Sequence, residues 1–246
     1  DIRLKALGPD HRDTASSYSN MAVVLHKQGK LEEAQALFQK ALDIFLQALG
    51  PDHPDTATSY NNIALVLDGQ DKLEEALTMH QKALDIDLKA FGPDHADTAT
   101  SYSNMAVVLQ NQGKLEEALA MHQQALDIYL KALGPEHADT ADTYSNMANV
   151  LRYQGKLEEA LAMHQKALDI RLKALGSDHA DTATSCNNIA LVLQNQGKLE
   201  EALAMHQKAL DIKLKALGPE HTDTADSHSN MAVVLQDQGK LEEALA

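Results

Sequence analysis

Apolar residues recur along this chain with the spacing of two alternating amphipathic helices. The first stripe stands at i, i+3, i+4 and i+7 of a helical face and consists of Tyr60, Ile63, Ala64 and Leu67. The second stripe follows a short turn and consists of Leu73, Ala76, Leu77, Ala83, Leu84 and Leu88. Apolar and polar residues do not alternate with a period of two, so the pattern predicts helices and no β-strands.

This two-helix pattern is an internal repeat. The segment QGKLEEALAMHQKALDI at 154–170 recurs letter for letter at 196–212, 42 residues later. A single helical hairpin cannot bury its apolar stripe, whereas stacked hairpins bury a continuous core. The sequence therefore predicts one solenoid over residues 1–246. Its divisions are the tail of a preceding repeat at 1–6, five repeats at 7–48, 49–90, 91–132, 133–174 and 175–216, and a partial repeat at 217–246.

Local signals mark where the helices begin and end. Asp52 or His53 can cap the first helix, Pro54 suits its first position, and Asp55 complements the positive end of its dipole. The second helix is expected to end at a glycine such as Gly92. The short turn between the two helices reads QGK in most copies.

The repeat resembles the tetratricopeptide repeat. The residues that carry this resemblance are Tyr60, Ile63, Ala64, Leu67, Asp71, Leu73, Ala76, His80, Ala83 and Leu84. The 42-residue length and the segment LGPDHPDTA before the first helix resemble the kinesin-light-chain type, with a second helix about two turns longer than usual. The resemblance implies an all-α, right-handed superhelical solenoid. Its concave face, lined by the first helices, is expected to bind a peptide or protein segment.

The resemblance also implies which residues line the groove. The asparagine that pairs with ligand backbone in this family corresponds here to Asn20, Asn62, Asn104, Asn146, Asn188 and Asn230. One subgroup clamps a C-terminal carboxylate with lysines, but the matching positions here are Ser19, Asn61, Ser103, Ser145, Asn187 and Ser229. A clamp for chaperone tails is therefore not expected.

The first helix of the fourth repeat departs from its neighbours. On a helix of 3.6 residues per turn, one direction collects Tyr144, Met147, Ala148 and Leu151. The opposite direction collects Asp142, Ser145, Asn146, Asn149, Arg152 and Tyr153. Because Arg and Tyr are frequent in binding hot spots, we expect Arg152 and Tyr153, with Asn149, to contact a ligand side chain. Neutral drift between near-identical copies is the alternative.

Two functions remain open, a binding scaffold and a structural spacer within a larger protein that self-associates head to tail. The repeats 133–174 and 175–216 match at 31 of 42 positions, and ten of the eleven differences precede the identical segment. Five of the ten are expected to project away from the core, at 142/184, 145/187, 149/191, 152/194 and 153/195. Variation there favours the scaffold, although drift of an exposed surface would produce it too.

Charge and composition limit the classes of partner that the chain is expected to bind. Lys plus Arg number 21 against 36 Asp plus Glu, a net charge of −15, which argues against nucleic acid and against an anionic membrane surface as partners. The sequence has no apolar run of the roughly 18 residues that a membrane span needs. A single cysteine, Cys186, suits a reducing compartment, and we expect a cytoplasmic protein. Because the chain begins without methionine, we expect it to be part of a longer protein.

Catalytic, cofactor and metal sites are not expected. The twelve histidines lack metal-site spacing, and the six in the turn before each first helix are expected to cap. Four others, His80, His122, His164 and His206, replace Phe38 of the first repeat and are expected to be half-buried packing residues with a lowered pKa. Cys186 replaces a tyrosine and is also expected to pack rather than react. We therefore predict that the chain is not an enzyme.

Overall fold

The computed structural model describes residues 2–240 and 244, and within them the chain forms helices and no strand. The described helices are α1 (Ile2–Leu7), α2 (Arg12–Lys27), α3 (Leu31–Leu49), α4 (Pro54–Gly69), α5 (Leu73–Phe91), α6 (Ala96–Asn111), α7 (Leu115–Ala132), α8 (Ala138–Tyr153), α9 (Leu157–Leu175), α10 (Ala180–Asn195), α11 (Leu199–Leu217) and α12 (Thr222–Asp237). The predicted all-α class is confirmed. The second helices of 18 or 19 residues also confirm the expected extension.

The chain divides into two compact units, Asp1–Ile128 (unit 1) and Tyr129–Ala246 (unit 2). In unit 1, α4 packs against α3 and α5, and α5 packs against α6. In unit 2, α8, α9, α10, α11 and α12 pack each against the next. Each of α3, α5, α9 and α11 therefore contacts the first helix of its own repeat on one side and that of the following repeat on the other.

The first helices begin at a histidine, as expected for the turn histidines. Nδ1 of His53 accepts a hydrogen bond from the backbone N–H of Asp55 at 3.1 Å. The same cap occurs at His11, His95, His137, His179 and His221. Thr56 Oγ1 donates to the carbonyl of Gly50 at 2.9 Å, which ties the helix start to the preceding turn. Gly50 lies at φ 92, a left-handed conformation that favours glycine, and it ends α3 as expected.

The core consists largely of alanine and branched aliphatic residues, and it covers more of each first helix than the single predicted stripe. Val66 is fully buried, and Ser59 is nearly so. The reason is that α4 is packed between α3 and α5, so two of its faces are covered. The expectation that positions 145 and 187 project away from the core is wrong for this reason, since Ser145 and Asn187 are buried.

The four second-helix histidines are fully buried, which confirms their packing role and exceeds the expected half burial. Loss of hydration lowers the pKa of each to about 4. His80 Nδ1 lies 2.8 Å from Asn61 Oδ1, and His206 Nδ1 lies 3.0 Å from Asn187 Oδ1. Where serine replaces this asparagine, in the repeats of His122 and His164, neither ring nitrogen has a partner among the described residues.

Cys186 is likewise completely buried, and burial raises the pKa of its thiol. The expectation that this side chain packs in the core is confirmed.

Candidate functional site

The first helices of unit 1 enclose a pocket between α4 and α6. The α4–α6 pocket has a volume of about 300 Å³, and its lining includes the polar residues Asn61, Asn62, Asn104, Asp87 and Asp97 and the apolar residues Leu65 and Phe91. Two of the asparagines predicted for the groove, Asn62 and Asn104, therefore lie in the wall of one pocket. Asn62 comes from α4 and Asn104 from α6, at the same position of successive repeats.

A similar pocket precedes it in unit 1. The α2–α4 pocket has a volume of about 230 Å³ and is lined in part by Asn20, Val23, Phe45 and Asn62. Asn62 thus lines both pockets. The first helices of unit 1 consequently present a row of amide side chains, with a recess between one helix and the next.

Exposed apolar side chains accompany the amides. Val23, Leu65 and Val107 occupy the same position of α2, α4 and α6 and are 38%, 47% and 39% exposed. An amide group both donates and accepts hydrogen bonds, as a peptide backbone does, while apolar side chains gain by being covered. This surface can therefore contact an extended segment through its backbone and through its side chains.

A buried carboxylate lies in the α4–α6 pocket. Asp87 on α5 is 4% exposed, and its Oδ2 accepts a hydrogen bond from Ser101 Oγ at 2.7 Å. Asn61 Nδ2 donates weakly to the same Ser101 oxygen at 3.5 Å, and its Oδ1 is the partner of His80. With Nδ1 of His80 as donor, the bonds run in one direction from the histidine to the carboxylate.

Burial raises the pKa of Asp87 above its ordinary value, and the Ser101 hydrogen bond and the nearby Asp97 and His95 are weaker influences on it. Among the described residues, no lysine or arginine pairs with this carboxylate. The α4–α6 pocket therefore contains a buried carboxylate with one hydroxyl partner and no lysine or arginine counter-ion among the described residues, and the carboxylate of Asp97 lines the same pocket.

The predicted site residues of unit 2 lie on α8 and α10. Asn146, Asn149, Arg152 and Asn188 are partly exposed, and Tyr153 is 57% exposed. The Arg152 guanidinium carbon lies 4.7 Å from the centre of the Tyr153 ring, within the range of a cation–π contact. These two side chains form one exposed cluster at the C-terminal end of α8.

Asp142 has a different role from the one that its variation suggested. It forms an ion pair with Arg171 at 2.5 Å, and Arg171 Nη1 also donates to Ser185 Oγ at 2.6 Å. Arg171 is 9% exposed, so its charge needs a partner inside the unit. The aspartate at 142 is thus explained by Arg171, and it is not evidence for a ligand.

One position of the second helix bears on the site and was not identified from the sequence. It holds Phe45, Asp87, Tyr129, Arg171 and Lys213, all of them buried. A signal for it exists, because the segment shared by 154–170 and 196–212 stops immediately before Arg171 and Lys213. In a helix that is otherwise almost constant, this position alone reverses the sign of its charge, from Asp87 to Arg171 and Lys213.

The described residues contain neither a cluster of metal ligands nor a helix that could span a membrane. Within residues 2–240 and 244, no three His, Cys, Asp or Glu side chains are grouped as metal ligands would be. No helix in that part of the chain combines the length and the apolar character needed to span a membrane.

Solved structures with similar folds are proteins of helical repeats. BtubC (BKLC) from P. vanneervenii is 24% identical, with a TM-score of 0.72 over 85% of this chain and 83% of that one. A Podosopora anserina protein named for kinesin light chain, with nearly identical TPR-like repeats, is 23% identical, with a TM-score of 0.69 over 84% and 98%. Pseudomonas aeruginosa pilF is 18% identical, with a TM-score of 0.62 over 95% and 88%. A comparison with curated protein sequences finds no match.

The tetratricopeptide repeat family model matches residues 1–45, 13–89, 69–131, 97–173, 139–194 and 181–246, which together span the sequence. The resemblance noted from the repeat residues is thereby confirmed, and the similar structures have the fold of kinesin-light-chain-like repeats. Proteins built from these repeats are generally non-enzymatic scaffolds for protein interactions. The chain belongs to the tetratricopeptide repeat family.

Proposed function

We propose that this protein binds an extended peptide or protein segment along the face formed by its first helices. The side-chain amides of Asn62, Asn104, Asn146 and Asn188 hydrogen-bond to the backbone of the segment. The observation that carries this proposal is the α4–α6 pocket, where Asn62 and Asn104 stand beside Asp87 and the exposed Leu65. Recognition of an extended segment through its backbone, with recesses for alternate side chains, is an established mode of peptide binding.

In unit 2, Asn149, Arg152 and Tyr153 contact a side chain of the bound segment that is acidic or aromatic. Support comes from the exposure of Tyr153 and from the stacking of Arg152 on its ring, which restricts both side chains before binding. Asn149 occupies the position at which Leu65 and Val107 are exposed. The repeat of α8 is therefore expected to prefer a more polar ligand residue than its neighbours.

The test begins with selection of short peptides from a random displayed library on the purified protein. Replacing Asn62 and Asn104 together by alanine is expected to weaken the selected peptides about tenfold or more, since two hydrogen bonds are lost. The matched control replaces Gln81 and Gln123, two exposed amides on second helices, by alanine. Equal affinities of both double variants and the wild type would contradict groove binding.

For unit 2, Arg152→Gln with Tyr153→Asn makes α8 resemble α10, where Gln194 and Asn195 stand. Peptides that contact this cluster should lose about tenfold in affinity, because a charged and an aromatic contact are removed together. Unchanged affinity would leave neutral drift as the explanation of these residues.

A second candidate function is a spacer that associates head to tail, and the exposure of α2 favours it. Met21 and Val24 are 56% and 54% exposed, whereas Ile63 and Val66, at the same positions of α4, are 3% and 0% exposed. At the other end of the described chain, Leu235 on α12 is only partly buried. In α4 the residues at these positions, Ile63 and Val66, pack against the second helix α3, so a second helix of another copy can cover the exposed face of α2.

Sedimentation over a range of protein concentrations tests the spacer. Association that Val24→Glu abolishes supports it, since a charge would then be buried in the contact. A wild-type protein that stays monomeric at the highest concentration rejects it.

A further inference from the structure

Two departures from the repeat sequence meet in the α4–α6 pocket. The first departure is Asp87, a carboxylate at a position of the second helix where the other repeats carry aromatic or basic residues. Phe91 replaces the leucine that precedes the turn glycine elsewhere, at Leu7, Leu49, Leu133, Leu175 and Leu217. Both side chains line the same pocket. Two independent changes at one recess indicate that its chemistry differs from that of the neighbouring repeats.

The burial of the Asp87 carboxylate favours the binding of a cation beside it. Asp87 is 4% exposed, so most of the cost of removing it from water is already met in the folded protein. Ser101 donates to Oδ2, and the described residues supply no counter-ion. A positive charge brought to this carboxylate would interact in a medium of low dielectric constant, where an ion pair is stronger than at the surface.

Phe91 and Leu65 supply the apolar part of the same recess. The Phe91 ring stacks on His95, with ring centroids 4.5 Å apart, and remains 38% exposed. Aromatic rings attract ammonium and guanidinium groups, and aliphatic walls cover the methylene groups that carry them. A volume of about 300 Å³ lies at the lower end of ligand pockets, which suits one long side chain.

We propose that the α4–α6 pocket is a subsite for a lysine or arginine side chain of the bound segment, with Asp87 as the partner of its charge and Phe91 as its aromatic wall. This inference rests on the proposed function. The preceding α2–α4 pocket has Phe45 in the place of Asp87 and so lacks the buried carboxylate. The cationic preference is therefore expected in the α4–α6 pocket and not in the α2–α4 pocket.

The experiment compares peptide selection on three proteins. A random displayed library is selected on the wild type, on Asp87→Asn and on Asp85→Asn, which removes the same charge from an exposed position of the same helix. We expect lysine or arginine at one aligned position of the peptides from the wild type and from Asp85→Asn, and no such preference on Asp87→Asn. Replacing that residue by norleucine in a synthetic peptide should weaken binding to the wild type about tenfold.

The outcomes separate this inference from the function on which it rests. Peptides that depend on Asn62 and Asn104 but show no cationic position, or the same one on Asp87→Asn, overturn the subsite and leave groove binding intact. If the wild type selects no peptide that depends on these asparagines, the proposed function fails and the subsite with it. A norleucine peptide that binds as well as its lysine parent also overturns the subsite, independently of how the variants fold.

Discussion

Units 1 and 2 place opposite charges at the same position of the repeat. Asp87 in unit 1 and Arg171 in unit 2 are both buried, and each is hydrogen-bonded to the serine 14 residues later. Ser101 donates to Asp87, whereas Ser185 accepts from Arg171 and donates to the carbonyl of Asp181. A hydroxyl can do either, since it has one donor and two acceptor sites. The same helical frame therefore accommodates a buried charge of either sign.

The two buried charges differ in whether they have a second partner besides the serine. Arg171 has a counter-ion in Asp142, at a position where most other repeats have threonine or serine. In the repeat of Asp87 the equivalent position holds Thr58, which carries no charge. In unit 2 the buried charge is neutralised within the fold. In unit 1 it lies in a pocket with no basic partner among the described residues. We therefore expect loss of the Asp142 partner to destabilise unit 2, and we expect the Asp87 carboxylate to remain open to a ligand.

The largest expected effect is a loss of stability in acid, and it should be similar in the two units. Each unit has two buried histidines, with a pKa lowered by burial to about 4 against 6.5 in the unfolded chain. The unfolded chain binds protons near pH 6.5, and the folded chain does so only near pH 4. Stability should therefore fall through this window, by about 1.4 kcal/mol per pH unit for each histidine.

Urea unfolding across this pH window measures the effect. His122→Phe in unit 1 and His164→Phe in unit 2, which copy Phe38, should each be neutral or stabilising near pH 7 and should each reduce the acid sensitivity equally. A loss above about 2 kcal/mol near pH 7 would contradict simple packing.

The second-largest expected effect is a loss of stability that concerns the ion pair of unit 2 alone. Asp142→Thr leaves the Arg171 guanidinium buried with Ser185 alone, and we expect the free energy of unfolding to fall by about 2 kcal/mol. Asp226→Thr is the matched control, because Asp226 occupies the same position on α12 and is exposed. Urea unfolding of the two variants should differ clearly. Equal stabilities would mean that the ion pair contributes nothing to unit 2.

Asp87→Asn should change stability in the opposite direction. Burial raises the folded pKa of Asp87 above its ordinary value of 3.8, so the ionised form is disfavoured by folding. The variant removes this penalty, and we expect a gain of about 1 kcal/mol near neutral pH. Because the wild-type carboxyl becomes protonated in acid, the gain should vanish as the pH falls through the folded pKa toward 3.8. A loss of stability would assign Asp87 a structural role instead.

The smallest expected effect concerns the buried histidines without partners. Ser145→Asn supplies His164 with the amide oxygen that His80 and His206 receive from Asn61 and Asn187. One added hydrogen bond should stabilise unit 2 by about 0.5 to 1 kcal/mol. The reciprocal change Asn187→Ser should destabilise the same unit by a similar amount. Thermal unfolding of both variants would show opposite shifts, and shifts of the same sign would contradict the pairing.

Much of the fold was predictable because each signal was local or strictly repeated. The histidine caps, the glycine ends and the length of the second helices follow from residues within a few positions of each other. The candidate site was predictable only in part. Asn62 and Asn104 were identified, and the structure places both in one pocket. Asp87 and Phe91 were missed, because their significance depends on side chains that lie on a different helix.

The sequence by itself determined the class of fold, the period and the helices, since hydrophobic spacing and capping act over one or two turns. Only the tertiary structure decided which polar residues are buried. Packing α4 between α3 and α5 covers a second face of the helix, which a single-helix projection leaves exposed. The same packing brings Asp142 to Arg171, 29 residues apart, and Ser101 to Asp87. Whether a charge is paired within the fold or left in a pocket depends on such distant neighbours, and a local pattern contains no information about them.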